Sequence, residues 1–243
     1  MKDELKLTKY NKNNDYSYTF GIFPTFELVK YRAERVIKII LSSKLKISED
    51  VKNLLGLCER KNIKIEYDDK VINRVADKEN CFVVGVFEKY ETKFDITDRN
   101  LVLFNPSDMG NMGTIMRTML GFGINNLIII NPAVDHFNPK VIRASMGAIF
   151  SLNILEFDSI DSYLERSKNK KYFFMLKGNN ILGKFEIKDK KYDLIFGNEA
   201  SGLPENLLNY DESVVIKHTN KIDSLNLPIS IGIALYEFTK NWY

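Results

Sequence analysis

The sequence predicts an α/β protein that contains a mostly parallel sheet. Short apolar runs typical of buried strands, such as LVLF at 101–104 and NNLIII at 125–130, alternate with segments of helical periodicity. Polar, glycine-containing loops follow several of these runs. In open α/β sheets, ligands bind at such strand ends, where the following helix offers free N–H groups. The pattern therefore predicts both the fold class and the edge of the sheet where a site would lie.

Composition is that of an ordinary globular protein. The chain has 243 residues, 44% hydrophobic and 28% charged, with a formal net charge of +3. No apolar run reaches the roughly 20 residues of a membrane span, and the polar start lacks the apolar stretch of a secretory signal. Cys58 and Cys81 lie in apolar surroundings, which favours buried free thiols and a cytoplasmic location. With two histidines and no Cys/His cluster, we expect no metal.

Residues 1–93 are predicted to form a small α/β domain with a polar N-terminal tail. Ser48 can cap its first helix, and Gly85 indicates a bulge or a close backbone approach within its last strand. The aromatic residues of 16–31 are expected in the core more often than as stacking partners for bases. Strands are predicted at 36–43, 63–68 and 81–89, and helices at 48–61 and 70–77.

Charge separates the front of the chain from the rest. The whole positive excess lies in the first 99 residues. This is compatible with a polyanion-binding front half, and equally with a solvated surface of mixed charge. The polar, unpatterned segment 94–100 is interpreted as a linker, and a second domain is predicted over 101–243. About six parallel strands with intervening helices make this second domain a three-layer sheet.

The first polar strand end is NPSDMGNMGTIMRTML at 105–120. Gly110 and Gly113 allow close backbone approach, and Asn111 stands where the loop becomes a helix. Arg117 follows about one and a half turns later. A helix N-terminus and a guanidinium together suit phosphate or ribose recognition. An N-cap followed by a surface arginine explains the same residues, and spacing alone favours that simpler interpretation.

Two further strand ends carry polar side chains. In FGNEASGLPENLL, Glu199 could pair with Arg117, accept a hydrogen bond from a substrate, or be solvated, and the pattern alone favours solvation. In the third segment Ser224 and Asn226 flank Leu225, and Ser224 is a candidate N-cap for the helix that follows. His136 and His218 have no nucleophile or metal-ligand spacing and are interpreted as ordinary polar or packing residues.

The three segments, in this order, resemble the motifs of the SpoU/TrmH-type RNA 2′-O-methyltransferases of the SPOUT superfamily. The first resembles the signature Asn-x-Gly-x-x-x-Arg-Thr, the second the loop Gly-Asn-Glu-x-x-Gly-Leu, and the third the signature Ser-Leu-Asn. VIRASMGAIF at 141–150 also resembles the family segment between the first two motifs. The matching positions are Asn111, Gly113, Arg117 and Thr118; Gly197, Asn198, Glu199, Gly202 and Leu203; and Ser224, Leu225 and Asn226.

This resemblance implies a parallel sheet whose C-terminal part threads into a deep trefoil knot that binds S-adenosylmethionine, in a homodimer packed near that site. Residues 16–93 resemble the small ribosomal-protein-like RNA-binding domain of such enzymes. The implied catalytic residues are Arg117, Asn111, Glu199, Ser224 and Asn226. The implied cofactor contacts are Gly197, Ile216, Leu225 and Leu176. Met109 and Lys217 replace prolines common in the family, which bears on loop rigidity.

The implied reaction is methylation of a ribose 2′-hydroxyl in RNA. Ribosomal RNA is favoured over transfer RNA by analogy, because of the additional N-terminal domain. Two alternatives come from other classes of protein. One is a non-catalytic RNA-binding protein of the same fold. The other is a nucleotide-dependent oxidoreductase, against which the absence of a glycine fingerprint after the first strand counts.

Overall fold

The computed structural model describes residues 6–76 and 80–242, so the first five residues of the predicted tail and Asp77 of the predicted helix 70–77 lie outside the described residues. Two compact units are present. The first runs to Tyr90 and includes Asp135–Ser151, and the second comprises Glu91–Val134 and the chain from Leu152 onward.

The described elements follow one another along the chain in an α/β alternation. They are β1 (Tyr16–Phe20), α1 (Ile22–Arg32), β2 (Val36–Leu41), α2 (Glu49–Arg60), β3 (Ile65–Tyr67), α3 (Asp69–Val75), β4 (Val83–Glu88), β5 (Asn100–Phe104), α4 (Met109–Gly121), β6 (Asn126–Ile130), α5 (Pro139–Ala144), β7 (Asn153–Phe157), α6 (Ile160–Arg166), β8 (Lys170–Phe174), β9 (Asn180–Ile181), β10 (Tyr192–Phe196), β11 (Glu212–Val215) and α7 (Leu227–Thr239).

The first unit contains a four-stranded sheet in the order β1-β4-β2-β3. β4 runs antiparallel to β1 and β2, and β3 runs parallel to β2. Ser48 caps α2 as predicted, because its side chain accepts a hydrogen bond from the backbone N–H of Val51. The close approach predicted at Gly85 is also present. A Cβ there would lie 2.4 Å from Oγ1 of Thr19, and the Gly85 N–H donates to that oxygen.

The second unit contains a seven-stranded sheet in the order β7-β6-β5-β10-β8-β11-β9. Every neighbouring pair is parallel, which confirms the predicted sheet type. β5 pairs with β6 on one side and with β10 on the other, so the strand order changes direction there. In open α/β sheets, such a switch point is where ligands bind, beyond the carboxyl ends of the strands.

A buried polar cluster lies at the opposite, amino-terminal ends of β5, β8 and β10. The carboxylate of Asp193, which is fully buried, accepts hydrogen bonds from Nδ2 of Asn100 at 2.7 Å and from Oγ of Ser167 at 2.6 Å. Asn169 Nδ2 donates to the same carboxylate at 2.9 Å. Because a buried charge is costly without partners, these bonds hold the strand starts in one arrangement.

The segment after Pro204 forms only a short 3₁₀ turn, Glu205–Asn209. β9 has only two residues, and its sequence contains no apolar run that would have predicted a strand. Within residues 6–76 and 80–242, none of the helices has the length and apolar content needed to cross a bilayer.

Candidate functional site

A cavity of about 530 Å³ lies at the carboxyl ends of β8, β10 and β11. Its size is within the range of small-ligand pockets, roughly 300–1,000 Å³. Apolar side chains from the three strand ends form much of its wall, and polar groups of the loops complete it. The sequence-predicted residues that line it are Leu176, Gly197, Glu199, Ile216, Ser224 and Leu225.

The loop after β10 is a tight reversal that depends on two glycines. The Asn198 N–H donates to the Gly202 carbonyl at 3.2 Å, and the Gly202 N–H donates to the Asn198 carbonyl at 2.9 Å. Gly202 has a φ of +69°, in the left-handed region that favours glycine. A Cβ on Gly197 would lie 2.1 Å from the carbonyl carbon of Gly202. Any side chain at Gly197 would therefore open the reversal and change the cavity wall.

Glu199 projects from this loop to the start of α4. Its carboxylate accepts hydrogen bonds from the Ser107 N–H at 3.1 Å, from the Ser107 hydroxyl at 2.9 Å and from the Asp108 N–H at 3.3 Å. Nδ2 of Asn111 donates to it at 3.3 Å. The negative charge thus sits at a helix N-terminus, where it is stabilised. Glu199 is half-buried and bonded, and the solvated alternative is wrong.

Opposing effects act on the ionisation of this carboxyl group. Burial by itself raises the pKa of Glu199, while hydrogen bonds from its own backbone N–H and from Ser107 and Asn111 lower it. The hydrogen bonds prevail, so the pKa lies below the ordinary value for glutamate. At neutral pH the side chain is an anion used as a hydrogen-bond acceptor, and it is a poor candidate for a general base.

Asn198 and Ser107 also join the loop after β10 to the segment before α4. The sequence analysis did not name either of them as a site residue. Nδ2 of Asn198 donates to the Asn105 carbonyl at 2.7 Å, while its Oδ1 accepts from the Ala200 N–H at 2.9 Å. Asn198 belongs to the second motif, so its position in the pattern was the available signal. Nothing in the sequence pairs Ser107 with Glu199, because 92 residues separate them.

The third segment supplies free polar groups to the cavity. Within the part of the chain that the structure describes, the backbone of Leu225 and the backbone and hydroxyl of Ser224 form no hydrogen bond. They remain available to a ligand. Ser224 is not the helix cap that was expected. α7 begins at Leu227 with Asn226 in the N-cap position, and the Asn226 carbonyl accepts from the Ser230 N–H.

Arg117 and Asn226 do not line the cavity, and Asn111 reaches it only through Glu199. Arg117 is exposed on α4, and its guanidinium forms no hydrogen bond or ion pair with any other residue in 6–76 or 80–242. The pairing with Glu199 considered from the sequence is absent within one chain. Helix geometry explains this, since six residues separate Arg117 from Asn111 and turn it by about 120° around the axis.

Other lining residues carried no sequence signal. His218, interpreted from the sequence as an ordinary histidine, contributes to the cavity wall, and its Nδ1 lies 3.0 Å from the Thr219 carbonyl. Lys177 and Glu205 form an exposed ion pair at 2.9 Å on the same wall. Among the described residues, no group of three or more His, Cys, Asp or Glu side chains is arranged to hold a metal ion.

This donor set suits a ligand with an apolar ring and several polar edges. Leu176, Leu203 and Val215 offer apolar surface, while the free backbone at Leu225 and the Ser224 hydroxyl offer hydrogen bonds. The cavity is thus built mainly from backbone and apolar groups at strand ends. Such a site binds and orients a ligand and provides little acid–base chemistry of its own.

Comparisons with known proteins agree with this geometry. Residues 98–236 match the model of the SpoU rRNA Methylase family. An uncharacterized tRNA/rRNA methyltransferase of Borreliella burgdorferi is 30% identical over 89% of this chain and 93% of its own length. The 23S rRNA (adenosine(1067)-2′-O)-methyltransferase of Streptomyces azureus is 28% identical over 76% of this chain and 72% of its own.

Shorter relatives and solved structures extend the comparison. A putative tRNA (cytidine(34)-2′-O)-methyltransferase of Listeria monocytogenes is 30% identical over 57% of this chain and 85% of its own length. The AdoMet-bound rRNA methyltransferase from Sinorhizobium meliloti superposes with a TM-score of 0.79 at 23% identity, over 94% of this chain and 88% of that one, which supports the fold. The chain belongs to the SpoU rRNA Methylase family and is an RNA methyltransferase.

Proposed function

We propose that the cavity at the ends of β8, β10 and β11 binds S-adenosylmethionine and that the chain methylates a ribose 2′-hydroxyl of RNA. One observation carries the proposal. Six residues implied by the family motifs line one cavity, and Glu199 connects that cavity to the start of α4. Its apolar walls suit an adenine ring, and the free polar groups of Ser224 and Leu225 suit the ribose and the amino acid end.

The protein itself needs to contribute little acid–base or covalent chemistry to this reaction. S-Adenosylmethionine, when bound, supplies an already activated methyl group. With the cofactor held by Gly197, Ile216 and Leu225, the ribose oxygen would accept this methyl group, the electron pair of the carbon–sulfur bond would stay on sulfur, and the hydroxyl proton would leave to solvent. The protein therefore contributes mainly position and orientation. Arg117, whose planar guanidinium cation matches the geometry of a phosphate, holds a neighbouring phosphate and stabilises negative charge on the ribose oxygen.

Glu199 and Asn111 have a positioning role in this scheme. Their hydrogen bonds fix the first turn of α4 against the loop that follows β10. Because α4 is a continuous helix from Met109 to Gly121, its start determines where Arg117 points. Ser224 lines the pocket directly, and Asn226 acts on it indirectly through its N-cap position at the start of α7.

A homodimer would complete the site. α4 packs against α7, with the Cβ position of Gly232 3.8 Å from Cγ2 of Thr118. α7 exposes Ile229 (56%), Ile233 (40%) and Tyr236 (60%), which share one helical face at spacings of four and three residues. An exposed apolar stripe of this kind marks a protein interface. Pairing of this face with a second copy would bring Arg117 of one chain toward the cavity of the other.

Ribosomal RNA is the preferred substrate class. The Streptomyces azureus relative, named for 23S rRNA, aligns over 76% of this chain, whereas the Listeria monocytogenes relative, named for tRNA, aligns over only 57%. The greater coverage includes part of the first unit, for which we propose a role in RNA binding. Transfer RNA is the alternative substrate. The trefoil knot remains a prediction from the family resemblance, and the domain boundary at 94–100 and a cytoplasmic location remain predictions from the sequence pattern.

Methyl transfer from radiolabelled S-adenosylmethionine tests the proposal. The acceptors are ribosomal RNA and transfer RNA, purified separately from a strain that lacks the gene. Digestion and mass spectrometry should show label in a 2′-O-methylated nucleoside. Label in ribosomal RNA alone supports the preferred substrate, and label in transfer RNA alone supports the alternative. RNA binding and S-adenosylmethionine uptake without transfer to either RNA would favour a non-catalytic RNA-binding protein.

A further inference from the structure

A second cavity, of about 290 Å³, lies within the first unit. Its wall includes the end of β1, the start of α1, the residues that lead into β4, and one face of α5. At the lower end of the range for small-ligand pockets, it can hold one small planar group. Pro139, Lys140 and Arg143 of its wall fall within the match to the family model at residues 98–236, and the other lining residues precede that match.

The inner surface of this cavity is mostly apolar and partly aromatic. Phe20, Ile22 and Leu45 line it, together with Phe82, whose side chain is 37% exposed. Gly21 has a φ of +99°, and a Cβ there would meet nothing within 4 Å. The cavity therefore has open space beside an accessible aromatic ring, which is the kind of surface on which an unstacked base packs.

The rim of the cavity carries two cations. Lys140 and Arg143 lie three residues apart on α5 and so share a face of that helix. Neither side chain makes a hydrogen bond or an ion pair within residues 6–76 and 80–242. Uncompensated cations at the edge of an apolar pocket attract an anion, and a guanidinium matches the geometry of a phosphate group.

The thiol of Cys81 lies in the wall of the same cavity. Burial raises the pKa of its thiol, while backbone hydrogen bonds and the charge of Arg143 partly oppose this effect. Cys81 is half-buried and lines the cavity, whereas Cys58 is fully buried. The thiol thus provides a chemical label inside the pocket, with a second thiol in the same unit as an internal reference.

We infer that this cavity binds a single unstacked nucleotide of the substrate RNA, with the base against Phe82 and a phosphate on Arg143 and Lys140. The inference rests on the proposed function for its choice of RNA. Apolar walls favour a base, and the paired cations favour the attached phosphate. Contacts to a base edge can carry sequence information, whereas phosphate contacts only position the strand. The pocket would therefore contribute to the choice of target nucleotide sequence.

Alkylation of Cys81 by iodoacetamide, read by mass spectrometry, tests the inference independently of methyl transfer. The probes are total RNA from a strain lacking the gene and the four nucleoside monophosphates. RNA should slow the modification of Cys81 several-fold and leave Cys58 unmodified throughout. Arg143→Gln should raise the RNA concentration needed for protection about tenfold. It should also reduce the slope of the logarithm of the RNA-binding constant against the logarithm of the salt concentration by about one. Arg60→Gln, an exposed cation on α2, is the matched control.

The possible failures are distinguishable. The pocket inference is overturned, while the proposed function stands, if the wild-type protein methylates RNA but two results are negative. These are that RNA does not protect Cys81 from alkylation and that Arg143→Gln does not weaken RNA binding. If RNA protects Cys81 without methyl transfer, the nucleotide pocket is supported and the proposed function is not. Protection by nucleoside monophosphates but not by RNA would overturn the assignment to RNA. Folding of each variant is checked by its thermal unfolding curve.

Discussion

At the scale of single residues, Glu199 is the side chain that connects the second motif to the first. It contacts Ser107, which lies 92 residues earlier in the chain. Its carboxylate accepts hydrogen bonds from the N–H groups of Ser107 and Asp108, directly before α4, in place of water. The sequence placed Glu199 in a motif but left three roles open for it. Only the fold decides among them, because its partners come from a distant loop.

Glu199→Gln should lower methyl transfer at least about tenfold, or roughly 1.4 kcal/mol of activation free energy, with little change in cofactor affinity. The reason is that an amide cannot accept all the hydrogen bonds that fix the start of α4. Single-turnover rates and calorimetric Kd values measure the two effects. Glu205→Gln, which removes an exposed carboxylate of the same cavity, is the control. Equal losses in both variants would contradict the positioning role.

The stability of the wild-type protein relative to Glu199→Gln should depend on pH. Because the pKa of Glu199 is lowered in the folded state, its contribution is complete above the ordinary glutamate pKa of about 4.3. It is lost as the pH falls through the lower folded-state pKa. Urea unfolding of both proteins between pH 7 and pH 3 measures this. A difference in unfolding free energy that stays constant over that range would be inconsistent with the hydrogen-bonded anion.

Arg117→Lys should reduce the rate of methyl transfer about ten- to a hundredfold while S-adenosylmethionine still binds. Lysine keeps the charge but loses the planar fork that fits a phosphate. The rate is measured with saturating RNA, and Arg166→Lys in the last turn of α6 serves as the control. A wild-type rate for Arg117→Lys would mean that charge alone is sufficient and that the two-point contact is wrong.

At the scale of elements, local signals identified helices and central strands well. Ser48 and the apolar face of α2 define that helix, and the buried runs of β5 and β6 define those strands. α4 starts at Met109, two residues before the predicted junction at Asn111, because the Asp108 side chain caps it despite the glycines that follow. α1 was not predicted, because its aromatic residues follow no clear helical period.

The reversal after β10 gives a prediction for an element rather than a side chain. Gly197→Ala should destabilise the protein by a few kcal/mol and abolish cofactor binding, because the added Cβ would collide with the Gly202 backbone. Thermal unfolding and calorimetry measure the two effects. Gly56→Ala is the matched control within α2, where the nearest atom is a flexible arginine at 3.5 Å, and it should stabilise by up to about 1 kcal/mol.

At the scale of the whole molecule, strand order and long-range strand pairing could not be predicted from the sequence. Periodicity predicted parallel strands, but not that β10 inserts between β5 and β8. That insertion brings the loop of Glu199 beside the loop of Ser107. Six of the site residues implied by the motif resemblance line the cavity, whereas Arg117 lies outside it in a single chain.

Dimer formation is therefore the prediction that belongs to this scale. Ile233→Asp places a charge in the exposed apolar stripe of α7 and should shift the protein from dimer to monomer in sedimentation velocity. Methyl transfer should fall with the dimer fraction and recover at higher protein concentration. Ile47→Asp changes an exposed isoleucine of the first unit and should leave the dimer intact. A monomeric wild-type protein with full activity would refute the shared site.

The placement of the larger cavity along the chain has a consequence for synthesis. Its described lining residues all lie between Phe174 and Ser230. The residues before Phe174 are consequently translated before any wall of this cavity emerges. A stalled or truncated product that ends before the third motif would lack Ser224 and Leu225. Under the proposed function, such fragments would not sequester S-adenosylmethionine.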